Sequence, residues 1–108
     1  NDWRIDIESL RKRDLSKVKL MWLNYPHMPT GTRADHGDII KLIDLAKEQN
    51  FLLVNDNPYS LILNDKPFSI LSMPGAEEVV LELNSLSKSH NMAGWRIGWV
   101  AGKQTYID

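Results

Sequence analysis

Cysteine is absent from these 108 residues, so no disulfide framework, thiolate metal site or thiol nucleophile is available. Long apolar runs are missing too. The longest are four residues, far short of the roughly 20 that a helix needs to cross a bilayer. Charge of one sign is lacking. Thirteen Lys and Arg stand against fourteen Asp and Glu, a net charge of −1. That gives no reason to expect a nucleic-acid partner, whose usual footprint is a basic face. No signal-peptide pattern is visible, and the expected compartment is the cytoplasm. There are no repeats and no low-complexity segment. What remains is ordinary globular material, 43% hydrophobic and 25% charged. The length suits one domain.

Hydrophobic patterning divides the chain. Asp6 to Arg13 reads as a short helix, with acids early and bases late as the helix dipole favours. Val18 to Tyr25 reads as a strand, and Pro26, Pro29 and Gly31 then force a loop. Asp35 to Gln49 is the strongest helix. Asp35 suits the N-cap, and Ile39, Leu42, Ile43 and Ala46 form one apolar stripe. Asn50 suits a left-handed stop. Phe51 to Asn55 is nearly continuous apolar sequence, the pattern of a buried parallel strand. Val79 to Leu83 and Ile97 to Ala101 are further strands. A strand–helix–strand order implies a crossover, parallel pairing and an α/β fold.

In open α/β sheets, ligands sit beyond the carboxyl ends of the strands. Three polar clusters follow strands here. Asn24 to Gly31 is a rigid turn, for which a plain connection is the simpler explanation. His27 has no partner at metal-ligand spacing, and no metal site is expected. Asn55 to Tyr59 places the Asp56 carboxylate after a buried strand. It is either an Asx-turn or an acid aimed at a cation, with the Tyr59 phenol nearby. Ser85 to Arg96 brings the hydroxyls of Ser85, Ser87 and Ser89, the Lys88 amine and the Arg96 guanidinium. Hydroxyls and Arg suit a phosphate monoester, although Ser-x-Ser-Lys alone is weak.

Together the clusters are more specific. Ser85-Leu86-Ser87-Lys88 through Met92-Ala93-Gly94-Trp95-Arg96-Ile97-Gly98 resembles the cofactor-lysine signature of the fold-type I, pyridoxal-phosphate-dependent aminotransferases of class I/II. Asp56-Asn57-Pro58-Tyr59 resembles their Asp-x-x-Tyr motif, and Asn24 to Gly31 their proline-rich loop. The resemblance runs from about Lys19 to Gly102, with the motifs in family order. It implies the cofactor-binding core of a three-layer α/β/α large domain, with a mainly parallel sheet and an antiparallel last strand. It implies pyridoxal 5′-phosphate as cofactor, an amino acid and a 2-oxo acid as substrates, and a homodimer. Lys88 would be catalytic, bonding the cofactor aldehyde and then moving the proton between substrate Cα and the cofactor. Asp56 would pair with the pyridinium nitrogen. Tyr59 would donate to the phenolic oxygen. Ser85, Ser87 and Arg96 would hold the phosphate.

One position departs from the pattern. Before Pro-Thr-Gly the family usually carries Asn, but here stands Met28, which cannot donate a side-chain hydrogen bond. Several family features are not recognisable: the upstream Gly/Ser-rich phosphate turn, the ring-stacking aromatic and the downstream carboxylate-binding arginine. The chain opens on Asn1-Asp2-Trp3 and stops at Asp108. The expectation is a segment of 1–108 forming one partial domain, inactive alone. A carbon–sulfur β-lyase and a cofactor-sensing regulator remain as alternatives on the same scaffold.

Overall fold

A computed structural model describes residues 3–108. A short helix, α1 (Ile7–Arg11), precedes strand β1 (Leu20–Leu23). Helix α2 (His36–Gln49) leads to β2 (Leu52–Asp56). A loop with two 3-10 turns, Ile70–Ser72 and Ala76–Glu78, reaches β3 (Val80–Ser85). The one-turn helix α3 (Leu86–Ser89) follows, and β4 (Gly98–Gly102) closes the sheet. No described helix is long and apolar enough to cross a membrane.

The caps that the sequence predicts for α2 are in place. Asp35 accepts the Asp38 N–H at 3.1 Å, which satisfies one of the free donors at the start of α2. Asn50 ends the helix in the left-handed region, at φ 56°. Asp6, read from the sequence as a helical residue, instead caps α1 by accepting the Ser9 N–H at 2.9 Å, and the helix ends at Arg11 rather than Arg13.

Strand order is β1-β2-β3-β4. The first three are parallel, with Leu23 beside Asn55 and Asp56 beside Leu83. β4 is antiparallel to β3 and sets Gly98 beside Ser85. The close approach of these two strands needs a glycine: a Cβ on Gly98 would lie 2.7 Å from the Asn84 carbonyl oxygen.

Strand alternation separates two faces. One carries Leu23, Leu53 and Val80, which join Ile39, Leu42, Ile43 and Ala46 of α2 in the core. Each buried Leu, Ile or Val side chain of this set contributes about 1.5–3 kcal/mol. The other face carries Leu20, Trp22 and Val100, all exposed. Val54 is buried on that second face and lies outside the core cluster.

Several boundaries differ from the sequence reading; β4, for one, runs Gly98–Gly102 rather than Ile97–Ala101. β1 is shorter than Val18–Tyr25 because turns take both ends. The Val18 N–H bonds back to Leu15, and the Tyr25 backbone bonds to the Asn55 side chain. β2 and β3 run further, through Asp56 and Ser85. The β4 register holds Ser85 in the sheet. Leu86–Ser89, read as loop, is a helical turn because Ser85 Oγ accepts the Ser87 N–H at 3.1 Å.

Candidate functional site

Parallel pairing places the ends of β1, β2 and β3 at one edge, so the three polar clusters share it. Asp56 is the last residue of β2 and is exposed. Alternation sets it on the uncovered face, in line with Asn24 and Leu83. Ser85 lies two residues beyond Leu83 on that face. Lys88 and Ser87 sit on the helical turn directly after β3. Arg96 precedes β4, whose antiparallel course brings it back to the same edge. Tyr59 follows β2 across the turn through Pro58.

These groups share a property. Among the described residues, the side chains of Asp56, Tyr59, Ser87 and Lys88 make no hydrogen bond and no ion pair. Arg96 gives one N–H to the Ala93 carbonyl at 3.1 Å. Its guanidinium retains further donors. Arg96 is also held in the left-handed region, at φ 53°, as is Asn91 at 52°. A non-glycine residue there carries local strain, which is found disproportionately at functional sites.

Ser85 differs from the others. Its hydroxyl caps Ser87 and lies 3.4 Å from the Ile97 carbonyl, to which it donates. Its one proton is thus used within the protein, and it offers a ligand mainly an acceptor oxygen. Ser89 turns inward, with its hydroxyl 3.3 Å from the Ser85 carbonyl and 2.8 Å from His90 Nδ1.

The proline loop is fixed from below. Asn55, buried at the end of β2, accepts the Tyr25 N–H at 3.1 Å and donates to the Tyr25 carbonyl at 3.3 Å. Burial pushes the Tyr25 phenol above its usual value, and the nearby Asp38 charge adds to the shift. His27 stacks on Trp3 with centroids 5.4 Å apart, and its Nδ1 lies 2.8 Å from the Thr30 hydroxyl. It serves the loop, and no group of metal-ligating side chains occurs among the described residues. Met28 is exposed and, with Tyr59, lines a cavity of about 260 Å³ at the rim of the site.

Two sets of contacts escape a sequence reading. Asn24 Nδ2 donates to the Asp56 carbonyl at 2.8 Å, while its Oδ1 accepts the Met28 N–H at 2.7 Å. Glu82 is buried on the covered face, accepting from Ile70 N at 2.8 Å and Asn84 Nδ2 at 3.3 Å. A charge inside the run Val-Val-Leu-Glu-Leu was the available signal for Glu82.

Comparison with known proteins matches residues 1–108 to the model of the family described as aminotransferase class I and II. LL-diaminopimelate aminotransferase of Gloeobacter violaceus is 44% identical over 104 residues, covering 94% of this chain and 26% of the relative. The enzyme of the same name from Aquifex aeolicus is 41% identical over 109 residues, covering 99% of this chain and 28% of the relative. Among solved structures, apo BacF from Bacillus subtilis superimposes with a TM-score of 0.90 at 41% identity. That match covers 99% of this chain and 28% of BacF. The chain thus spans little more than a quarter of the length of these relatives.

Proposed function

The chain belongs to the aminotransferase class I and II family, and from that premise we propose that it supplies the cofactor-binding core of a pyridoxal-phosphate-dependent aminotransferase. The reaction moves an amino group from an amino acid to a 2-oxo acid. The carrying observation is the set of side chains at one sheet edge that are unpaired among the described residues: a carboxylate, a phenol, a hydroxyl and an amine, with a guanidinium only partly engaged.

The donor set fits the cofactor. Asp56 supplies an anion for the pyridinium nitrogen. Tyr59 supplies a hydrogen bond to the phenolic oxygen. Ser87 and Arg96 offer donors to the phosphate, and Ser85 stands at the same edge with its proton already used. When bound, the cofactor supplies an electron sink for the pair released at substrate Cα. Lys88 would hold the cofactor through its aldehyde and would carry the proton from substrate Cα to the aldehyde carbon of the cofactor. Met28 leaves the phenolic oxygen to Tyr59 on this side. We place the protein in the cytoplasm as a homodimer.

The experiment is borohydride reduction of the cofactor-loaded protein at its natural length, followed by peptide mapping. Label on Lys88 supports the assignment. Label on Lys41, Lys47 or Lys103 with none on Lys88 refutes it.

A further inference from the structure

We infer that Asn24 is a positioning residue that sets Asp56 and the Met28 loop in register with each other. The inference rests on the cofactor site described above. The backbone pairing of β1 with β2 ends at Leu23 and Asn55. Asn24 is the next residue along, and on the uncovered face it stands beside Asp56. Its side chain supplies the missing rung: Nδ2 donates to the Asp56 carbonyl at 2.8 Å. The other end of the same amide, Oδ1, accepts the Met28 N–H at 2.7 Å.

A primary amide is rigid and planar, with donor and acceptor on one carbon. Holding both partners at ordinary hydrogen-bond length fixes their separation. One partner is the residue that would meet the pyridinium nitrogen. The other heads the segment that borders Tyr59 around the rim cavity. Asn24 therefore couples the two sides of the site. It also consumes the backbone N–H of Met28, so position 28 offers a ligand neither a side-chain nor a backbone donor.

Asn55 is the instructive counterpart. It staples the same loop from the covered face through Tyr25, and it is almost wholly buried. That contact holds the fold whether or not a ligand is present. Asn24 is half-buried and lies on the ligand side. Its loss should leave the Asn55 staple intact, so the effect should fall on ligand geometry more than on folding.

The test uses the protein at its natural length, with Asn24→Ala, Asn24→Asp and Asp56→Ala. Asn24→Asp keeps the acceptor for the Met28 N–H and loses the donor to Asp56. Four quantities are measured: the dissociation constant of pyridoxal phosphate, the visible circular dichroism of the bound cofactor, kcat against KM, and the melting midpoint without cofactor. Asn24→Ala is expected to weaken cofactor binding about tenfold, the scale of one or two lost hydrogen bonds. It should change the dichroism band and lower kcat more than it alters KM, with little change in the cofactor-free midpoint. Asn24→Asp should change the dichroism in the same sense. Wild-type binding and dichroism in both Asn24 variants, with binding lost in Asp56→Ala, overturn the role of Asn24 alone. A loss of binding matched by an equal loss of cofactor-free stability in both Asn24 variants also overturns it. Unaltered cofactor binding in Asp56→Ala removes the site reading, and the role of Asn24 with it.

Discussion

The two faces of the sheet use polar residues in opposite ways. On the face covered by α2, Asn55 and Glu82 sit side by side in register, both buried. Each is occupied within the protein, Asn55 by the Tyr25 backbone and Glu82 by Ile70 N and Asn84. One residue further along β2 and β3, on the uncovered face, Asp56 stands beside Leu83 with no side-chain partner among the described residues. Burial of a polar group is costly without a partner. The partnered ones are therefore architecture, and the exposed, unpartnered ones are available for chemistry. Asn57 is the exception on the covered side: its Nδ2 donates to the Phe68 carbonyl at 2.9 Å, while its buried Oδ1 has no partner among the described residues.

The contrast breaks most sharply at the apolar residues. Leu53 is fully buried in the core, whereas Trp22 is 63% exposed on the other face. Leu53→Ala should cost about 2–5 kcal/mol through lost burial and the cavity left behind. In the 108-residue chain, where that face is open, Trp22→Ser should change stability by about 0.5 kcal/mol or less. Urea denaturation of both variants measures this. A large loss at Trp22 would mean that the uncovered face contributes to the core.

A finer test compares two carboxylates. Glu82→Ala leaves the Ile70 N–H buried without its acceptor, a loss of about 1–3 kcal/mol. Cofactor binding by the folded protein should survive. Asp56→Ala should do the reverse, leaving stability near wild type while removing cofactor binding. Denaturation and cofactor titration of each variant decide it. Equal effects of the two substitutions on both readouts would erase the distinction between the faces.

That distinction marks what the amino-acid sequence could convey. The stripe of Ile39, Leu42, Ile43 and Ala46 announced α2, and Asp35 and Asn50 announced its ends, because caps and periodicity are local. The order of strands and crossover helix announced parallel pairing, and that pairing brought the three clusters to one edge. The motifs around Asp56 and Lys88 were legible as a family resemblance. Asn24 was not legible as a clamp, because its partners lie 4 and 32 residues away and depend on strand register. Glu82 was hidden likewise, since its main acceptor contact reaches across to Ile70. The local use of the Ser85 hydroxyl depends on Ile97 coming back beside β3.

The smallest expected effect concerns pH. The Asp38 N–H holds the Asp35 carboxyl below its usual value of 3.8, with the Arg4 charge helping. Near that pH the unfolded chain binds more protons at this position than the folded one, so stability rises with pH there. The contribution of the cap is therefore fully present well above 3.8 and is lost as pH falls below 3.8 through the lowered folded-state value. Glu78 acts in the same direction from its usual 4.5, lowered by its 2.7 Å hydrogen bond with Lys47. Tyr25 acts in the opposite direction. Its raised value adds stability below about 10 and loses it as pH rises further. Asparagine caps a helix as well as aspartate but does not titrate. Asp35→Asn should therefore match wild type closely at neutral pH and lose less stability between pH 5 and pH 3. The Lys47–Glu78 pair is exposed, so salt should weaken its share. Thermal melts across that range, at low and high salt, measure both effects. Parallel acid limbs for wild type and Asp35→Asn would show that the cap carboxylate has no part in the acid sensitivity of this face.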